Sequence, residues 1–186
     1  MNGNHSVNDR LSDLGMDEAE RGPEDRPPMT IRPAVPEDAD AIARTFLESA
    51  DHHARLDPER YAIPDAPTIA ARYRAGQQHL PGVTATTLVA VIDNHVVGFV
   101  DVRLDRSPDP MHRDITYCHV VEIAISPSCQ SQGVGATLLQ AAEDWGRRNG
   151  ATFASLEYLA ANTRAGDFYQ RRMGYRVAAL TAIKRL

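Results

Sequence analysis

The sequence predicts an α+β fold built on a mixed sheet, and three observations carry that reading. The patterned segments run in the order strand, two helices, three strands, helix, strand, helix, strand. The chain has 186 residues, 42% apolar and 24% charged, enough for one core and no second catalytic domain. A late strand, a Pro- and Gly-containing loop and a helix follow one another at residues 117–148, which is the layout of an anion site on a helix N-terminus.

Taken in order, Thr30-Ile31-Arg32-Pro33 reads as a short edge strand. Pro36-Glu37-Asp38 then opens a helix with acids in its first turn, where the dipole favours them. Ala39, Ile42, Ala43, Phe46 and Leu47 give that helix an apolar face. Pro58, Pro64 and Pro67 break residues 51–67 into loop and short helix, and 68–75 forms a second helix. Residues 87–93 and 96–104 flank Asn94-His95 as a hairpin without the usual Asn-Gly turn. After a loop at 105–114 come a strand at 117–126, a helix at 134–148 ended by Asn149-Gly150, and a strand at 153–159. Asn162 caps a helix that runs to Met173, and a closing strand is expected at 177–183.

Residues 1–28 carry seven acids against three arginines and no apolar stripe, which reads as a disordered acidic extension ahead of one domain at 29–186. With the net charge at −5, the domain itself is nearly neutral and lacks the basic footprint of a nucleic-acid binder. No stretch approaches the roughly 18 apolar residues of a membrane span, and no signal peptide core appears, so a cytoplasmic location is expected. Cys118 and Cys129 provide neither a disulfide framework nor a zinc spacing. His52-His53 are adjacent, point apart on a helix and have no further ligands spaced around them, so no metal is expected.

The chemistry concentrates in Gln130-Ser131-Gln132-Gly133-Val134-Gly135. Unpaired N–H groups at a helix N-terminus carry partial positive charge, and glycines let a phosphate approach the backbone. A P-loop would need Lys then Ser or Thr after the last glycine, whereas Ala136-Thr137 follows Gly135. The dinucleotide fingerprint would need a third glycine in an early βαβ unit.

Gln130 to Ala136 resembles the (Gln/Arg)-x-x-Gly-x-(Gly/Ala) signature of the GCN5-related N-acetyltransferases, or GNAT family. Asn162-Thr163-Arg164-Ala165-Gly166-Asp167-Phe168-Tyr169, followed by Met173-Gly174-Tyr175, is similar to that family's Asn-x-x-Ala-x-x-(Leu/Phe)-Tyr helix and its Gly-(Phe/Tyr) exit. The resemblance covers residues 30–186. One departure stands out: four residues separate Tyr169 from Gly174, where the family usually has three, which should alter the helix end and the position of Tyr175.

The resemblance implies a mostly antiparallel sheet with helices on both faces and acetyl-CoA as co-substrate, without a metal. It implies that the strand around Glu122, Ile123, Ala124 and Ile125 splays at a bulge and hydrogen-bonds the pantetheine arm. Gln130, Ser131, Gln132, Gly133, Val134, Gly135 and Ala136 would hold the pyrophosphate, and Asn162 would either contact the cofactor arm or cap its helix. Tyr169 is the candidate acid for the leaving thiolate. Glu157 and Glu122 compete as base, since an amine with a pKa of about 10.4 is mostly protonated at pH 7. Alternation groups Glu122 with Ala124, and His119 with Val121, Ile123 and Ile125, unless a bulge shifts the phase.

The implied partner is an amine-bearing small molecule or peptide, with no nucleic acid or membrane and a homodimer compatible with the sequence. Residues 50–67 and the loop at 105–114 would form the acceptor wall. A catalytically silent acyl-CoA sensor is the alternative. Because residues 1–28 have nothing with which to dock, deleting them should leave the melting temperature and CoA affinity unchanged; a clear fall in either, by thermal melting or calorimetry, would make them part of the domain.

Overall fold

The computed structural model describes residues 28–76, 82–106, 110–111 and 113–185. Residues 1–27 of the acidic extension therefore lie outside the described residues, as do positions 107–109 and 112 of the predicted acceptor loop. The sheet has five strands in the order β1 (Thr30–Pro33), β2 (Ala85–Ile92), β3 (His95–Arg106), β4 (Thr116–Ile125) and β5 (Phe153–Leu156). Strands β1 to β4 pair antiparallel. β4 and β5 pair in parallel, because a helical crossover joins them.

Helices cover both faces, as expected. On one face α1 (Ala39–Leu56) and α2 (Ala66–Arg74) bury Ala39, Ile42, Ala43, Ile69, Ala70 and Tyr73 against Val89, Phe99 and Ala124. On the other, Val134, Leu138, Leu139 and Ala142 of α3 (Val134–Arg148) pack on Leu88, Ala90, Val100, Val102, Cys118 and Val120. Tyr169 joins that second core from the turn after α4 (Thr163–Asp167).

Several local devices hold this arrangement. The Arg32 guanidinium grips Asp38 at 2.6 and 2.9 Å, and Asp38 also accepts the Val35 N–H at 2.9 Å, which ties β1 to the start of α1. The Arg32 bond holds the Asp38 carboxyl below its usual range, against the effect of burial. The hairpin between β2 and β3 turns on Asp93 and Asn94, both at positive φ (49° and 62°), one residue earlier than the expected Asn94-His95, and His95 opens β3. Successive left-handed residues match the twist of the strands, so Asp-Asn does here what Asn-Gly usually does. Gly146 lets α3 lie directly on β4, since a Cβ there would come within 2.7 Å of Cys118 Sγ.

Four expectations need correction. α1 continues through the predicted break to Leu56, with Asp57 N–H still bonded to His53 O at 2.9 Å. Pro58 restricts only the residue before it, so the helix can run to that boundary. β5 stops at Leu156 rather than 159. The helix predicted for 162–173 divides into α4 and a π-helical turn, Phe168–Arg172, closed by Met173 N–H to Phe168 O at 3.1 Å. The wider turn absorbs the extra residue before Gly174, so Tyr175 still packs on Tyr169 with ring centroids 6.1 Å apart. Finally, 177–183 forms no strand: it finds no ladder partner among the described residues, and Val177, Leu180 and Ile183 stand 53%, 90% and 63% exposed.

The Gly146 contact yields a test. Gly146→Ala should destabilise the protein by about 2–3 kcal/mol, because the side chains of Cys118 and Ala151 leave nowhere for the methyl group to go. A melting temperature unchanged within about 2 °C would show that α3 does not depend on this approach.

Candidate active site

β4 is bonded on both sides only for its first half. Its parallel register with β5 runs from Tyr117↔Phe153 to Val120↔Leu156 and then ends. On the β3 side, Val120 pairs with Val102 and Glu122 with Asp101, so Val121 is an extra, bulged residue, 41% exposed. The bulge bends β4 away from β5 and, among the described residues, leaves one backbone edge of residues 121–125 open. A cleft of about 730 Å³ opens there, lined by that edge, the C-terminal half of α1, the loop before α3 and the start of α4.

The bulge also resets which way the side chains face. Cys118 and Val120 share the α3 side with Ile123 and Ile125, while Ala124 packs under α1. Alternation then places His119 with Glu122 and Ala124, not with Ile123 as an unbulged strand would have it.

At the other wall, the loop reaches α3 through two left-handed residues, Ser131 (φ 65°) and Gly133 (φ 89°). A Cβ on Gly133 would meet nothing within 4 Å, so φ, not crowding within the protein, calls for glycine. Thr137 N–H is the first in α3 to reach a carbonyl, Gly133 O at 3.1 Å. The N–H groups of Val134, Gly135 and Ala136 are therefore left over at a positive helix end. Arg164 of α4 crosses to this loop, donating to Gln130 Oε1 at 2.9 Å and Ser131 Oγ at 3.3 Å.

Between the walls sits Glu122. Ser49 of α1 donates to its Oε1 at 3.1 Å. Its cross-strand neighbour Asp101 accepts from Tyr73 and Thr87 hydroxyls at 2.6 Å each. Burial pushes the Glu122 carboxyl up to about 7; the Ser49 bond opposes the rise and the charge of Asp101 adds to it. Tyr169, 9% exposed, stands among the rings of Tyr158, Phe168 and Tyr175 at 5.2–6.1 Å. Burial first, then the charge of Glu122, pushes its hydroxyl up to about 12.

Residues 47–175, well over half of the chain, match the model of the Acetyltransferase (GNAT) family. The chain belongs to this family. No curated protein sequence matches it. Among solved structures it is similar to a mutant of the BH1408 protein from Bacillus halodurans (21% identity, TM-score 0.75, covering 84% of this chain and 99% of that one). It is also similar to AAC(6')-Iy in complex with a CoA-containing bisubstrate analogue (19% identity, TM-score 0.62, covering 86% and 98%). A third is the aminoglycoside acetyltransferase HMB0005 from an uncultured soil metagenomic sample (14% identity, TM-score 0.60, covering 86% and 99%). At these identities the likeness is one of fold.

In this acetyltransferase, Ile123, Ala124, Ile125, Gln130, Ser131, Gly133, Gly135, Ala136 and Asn162 all line the cleft, with Glu122, Glu157 and Tyr169. Two predicted residues do not. Val134 is buried in the core at 2% exposure, so only its backbone can serve a ligand. Gln132 is exposed and bonds back to Ser128 O at 3.0 Å. Asn162 Oδ1 accepts Ala165 N–H at 3.1 Å, so its oxygen caps α4 and only its amide hydrogens face other partners. Glu157 lies one residue past β5 and is exposed.

Sequence reasoning missed Ser49 and Arg164, and named His52 and His53 only to set aside a metal. A helix register would have put Ser49 and His53 one turn apart, but only the fold shows that β4 passes beneath them. Among the described residues no group of three or more His, Cys, Asp or Glu could hold a metal ion, and no helix is long and apolar enough to cross a membrane.

The raised carboxyl has a consequence for stability. A folded-state value of about 7 against an unfolded value near 4.3 means that the folded form binds the extra proton between those limits. Stability is then fullest below the unfolded value and falls as pH rises through 7, by up to roughly 3 kcal/mol. Glu122→Gln should remove this slope and melt above wild type at pH 8, with the gap closing towards pH 4.5. Parallel melting curves across that range would contradict the assignment.

Proposed function

We propose that this chain moves an acetyl group from acetyl-CoA directly to a primary amine of a small molecule or peptide, as a cytoplasmic N-acetyltransferase. The observation that carries the reading is the pairing, across one cleft, of an open strand edge with a free helix N-terminus, and a near-neutral carboxyl between them. The residues present fit acetyl-CoA. A pyrophosphate suits the N–H groups of Val134, Gly135 and Ala136 and the guanidinium of Arg164. The unpaired edge at residues 121–125 suits the amides of the pantetheine arm, and the Asn162 amide hydrogens add a donor. When bound, acetyl-CoA supplies an activated acyl carbon with a thiolate leaving group.

The protein's own groups handle the protons. Glu122 is the base: near pH 7 a useful fraction is ionised, and its carboxylate takes a proton from the acceptor ammonium as that group enters the cleft. The gap to an ordinary amine, about 3.4 units against neutral pH, is roughly 4.6 kcal/mol, part of which the base recovers. A free N–H of β4 at residues 123–125 stabilises the oxyanion of attack. Tyr169 stays protonated over the working range and gives a hydrogen bond to the departing sulfur. Since a thiol titrates near 8.5, a phenol at about 12 shares its proton with the thiolate rather than surrendering it. Glu157, exposed at the rim, is assigned to acceptor contact and not to the base.

A panel of diamines, aminosugars and short peptides, followed by release of CoA thiol, tests the reaction. On the best acceptor, Glu122→Gln should lower kcat/KM at pH 7 by about 10²-fold and Tyr169→Phe by about 10- to 100-fold, with Glu157→Gln within a few-fold of wild type. A slow Glu157→Gln beside a silent Glu122→Gln would pass the base to Glu157. No turnover on any acceptor would overturn the enzyme reading.

A further inference from the structure

Resting on the proposed role of Glu122, we infer that Ser49 is a positioning residue for this base, held in its donating orientation by His53. Ser49 and His53 lie four residues apart on α1, so they share one face of the helix directly over β4. His53 Nδ1 lies 2.9 Å from Ser49 O, a geometry that places the ring proton on Nδ1 and donates it to that carbonyl. The same nitrogen is 3.4 Å from Ser49 Oγ. With an N–H facing its lone pairs, the Ser49 hydroxyl turns its own hydrogen away from the ring and towards Glu122 Oε1 at 3.1 Å. Tyr61 fixes the imidazole plane from outside, stacked at 5.5 Å and 26°.

The direction of that hydrogen bond matters because burial and the Asp101 carboxylate both oppose the charge of Glu122. From β3 comes the Asp101 carboxylate; from α2 comes the Tyr73 hydroxyl, already given to Asp101; from the π-helical turn comes buried Tyr169. Ser49 alone among these gives a hydrogen bond to the Glu122 carboxylate in the described structure. A hydroxyl compelled to donate favours the ionised carboxylate, whereas one free to rotate would serve either state. The seat of the proton on His53 thus sets how readily Glu122 accepts a proton from an amine and releases it again. Ser49 also fixes which oxygen, Oε1, is engaged, leaving Oε2 for the acceptor.

The test compares wild type, Ser49→Ala, Ser49→Thr and His53→Phe by two readouts. One is the carboxyl carbon titration of Glu122 by NMR, assigned with Glu122→Gln and needing no substrate. The other is the acid limb of kcat/KM on the fastest amine of the panel. Ser49→Ala should raise both midpoints together by about one unit, a roughly tenfold loss of kcat/KM at pH 6 with near wild-type values at pH 9. Ser49→Thr, which keeps the hydroxyl, should restore both. His53→Phe should move both in the same direction by less, because the serine then rotates freely. If Ser49→Ala leaves the carboxyl midpoint unmoved, the positioning role is wrong while Glu122 as base stands. If the carboxyl midpoint moves and the rate limb does not, Glu122 is not the base, and the role built on it falls too.

Discussion

One extra residue in β4 governs the site. Without the bulge at Val121, β4 would continue beside β5 and its edge would be closed by a ladder. The same insertion turns Glu122 under α1, where burial, Asp101 and Ser49 set its acidity. It also keeps Ile123 and Ile125 in the α3 core, so the open edge is anchored from behind. An exposed strand edge is ordinarily a liability, and here it lines a half-open cleft between α1, the loop before α3 and α4.

The second wall follows from backbone conformation. Gly133 holds a φ of 89° and ends the loop so that α3 begins with its first N–H groups facing the cleft. Arg164 links this loop to α4, and Asn162 caps α4 at the same point. The π-helical turn then carries Tyr169 inward while Tyr175, bonded to Glu143 at 3.0 Å, pins the chain beyond it. The proposed cofactor wall, base and acid thus come from α3, β4 and the turn after α4, each set by a local feature of the backbone.

Much of this was legible in the sequence. The loop and helix residues from Gln130 to Ala136 and from Asn162 to Tyr169 signal themselves, because glycine placement and capping are local. The succession of strands and helices along the chain, up to β5, followed from alternation and periodicity. What stayed hidden depends on contacts distant in sequence. The pairing of Ser49 with Glu122 spans 73 positions. The choice between Glu122 and Glu157 turns on burial, which alternation alone does not decide: it grouped Glu122 with Ala124 rightly, while the bulge shifts the phase for His119. The segment 177–183 has strand propensity, but a strand exists only where a partner edge meets it. The reach of α1 to Leu56 was underestimated because prolines at 58 and beyond were read as acting on the residues well before them.

The central claim is that the open β4 edge and the N-terminus of α3 together bind acetyl-CoA. Calorimetric titration of acetyl-CoA into wild type and Gly133→Asp tests it most directly, since the substitution places a carboxylate at the helix end and a Cβ at a left-handed position. The account predicts saturable binding, one molecule per chain, weakened at least about a hundredfold, about 2.7 kcal/mol, in a variant that still unfolds cooperatively. No binding to the wild type, or equal affinity in the two proteins, would contradict it.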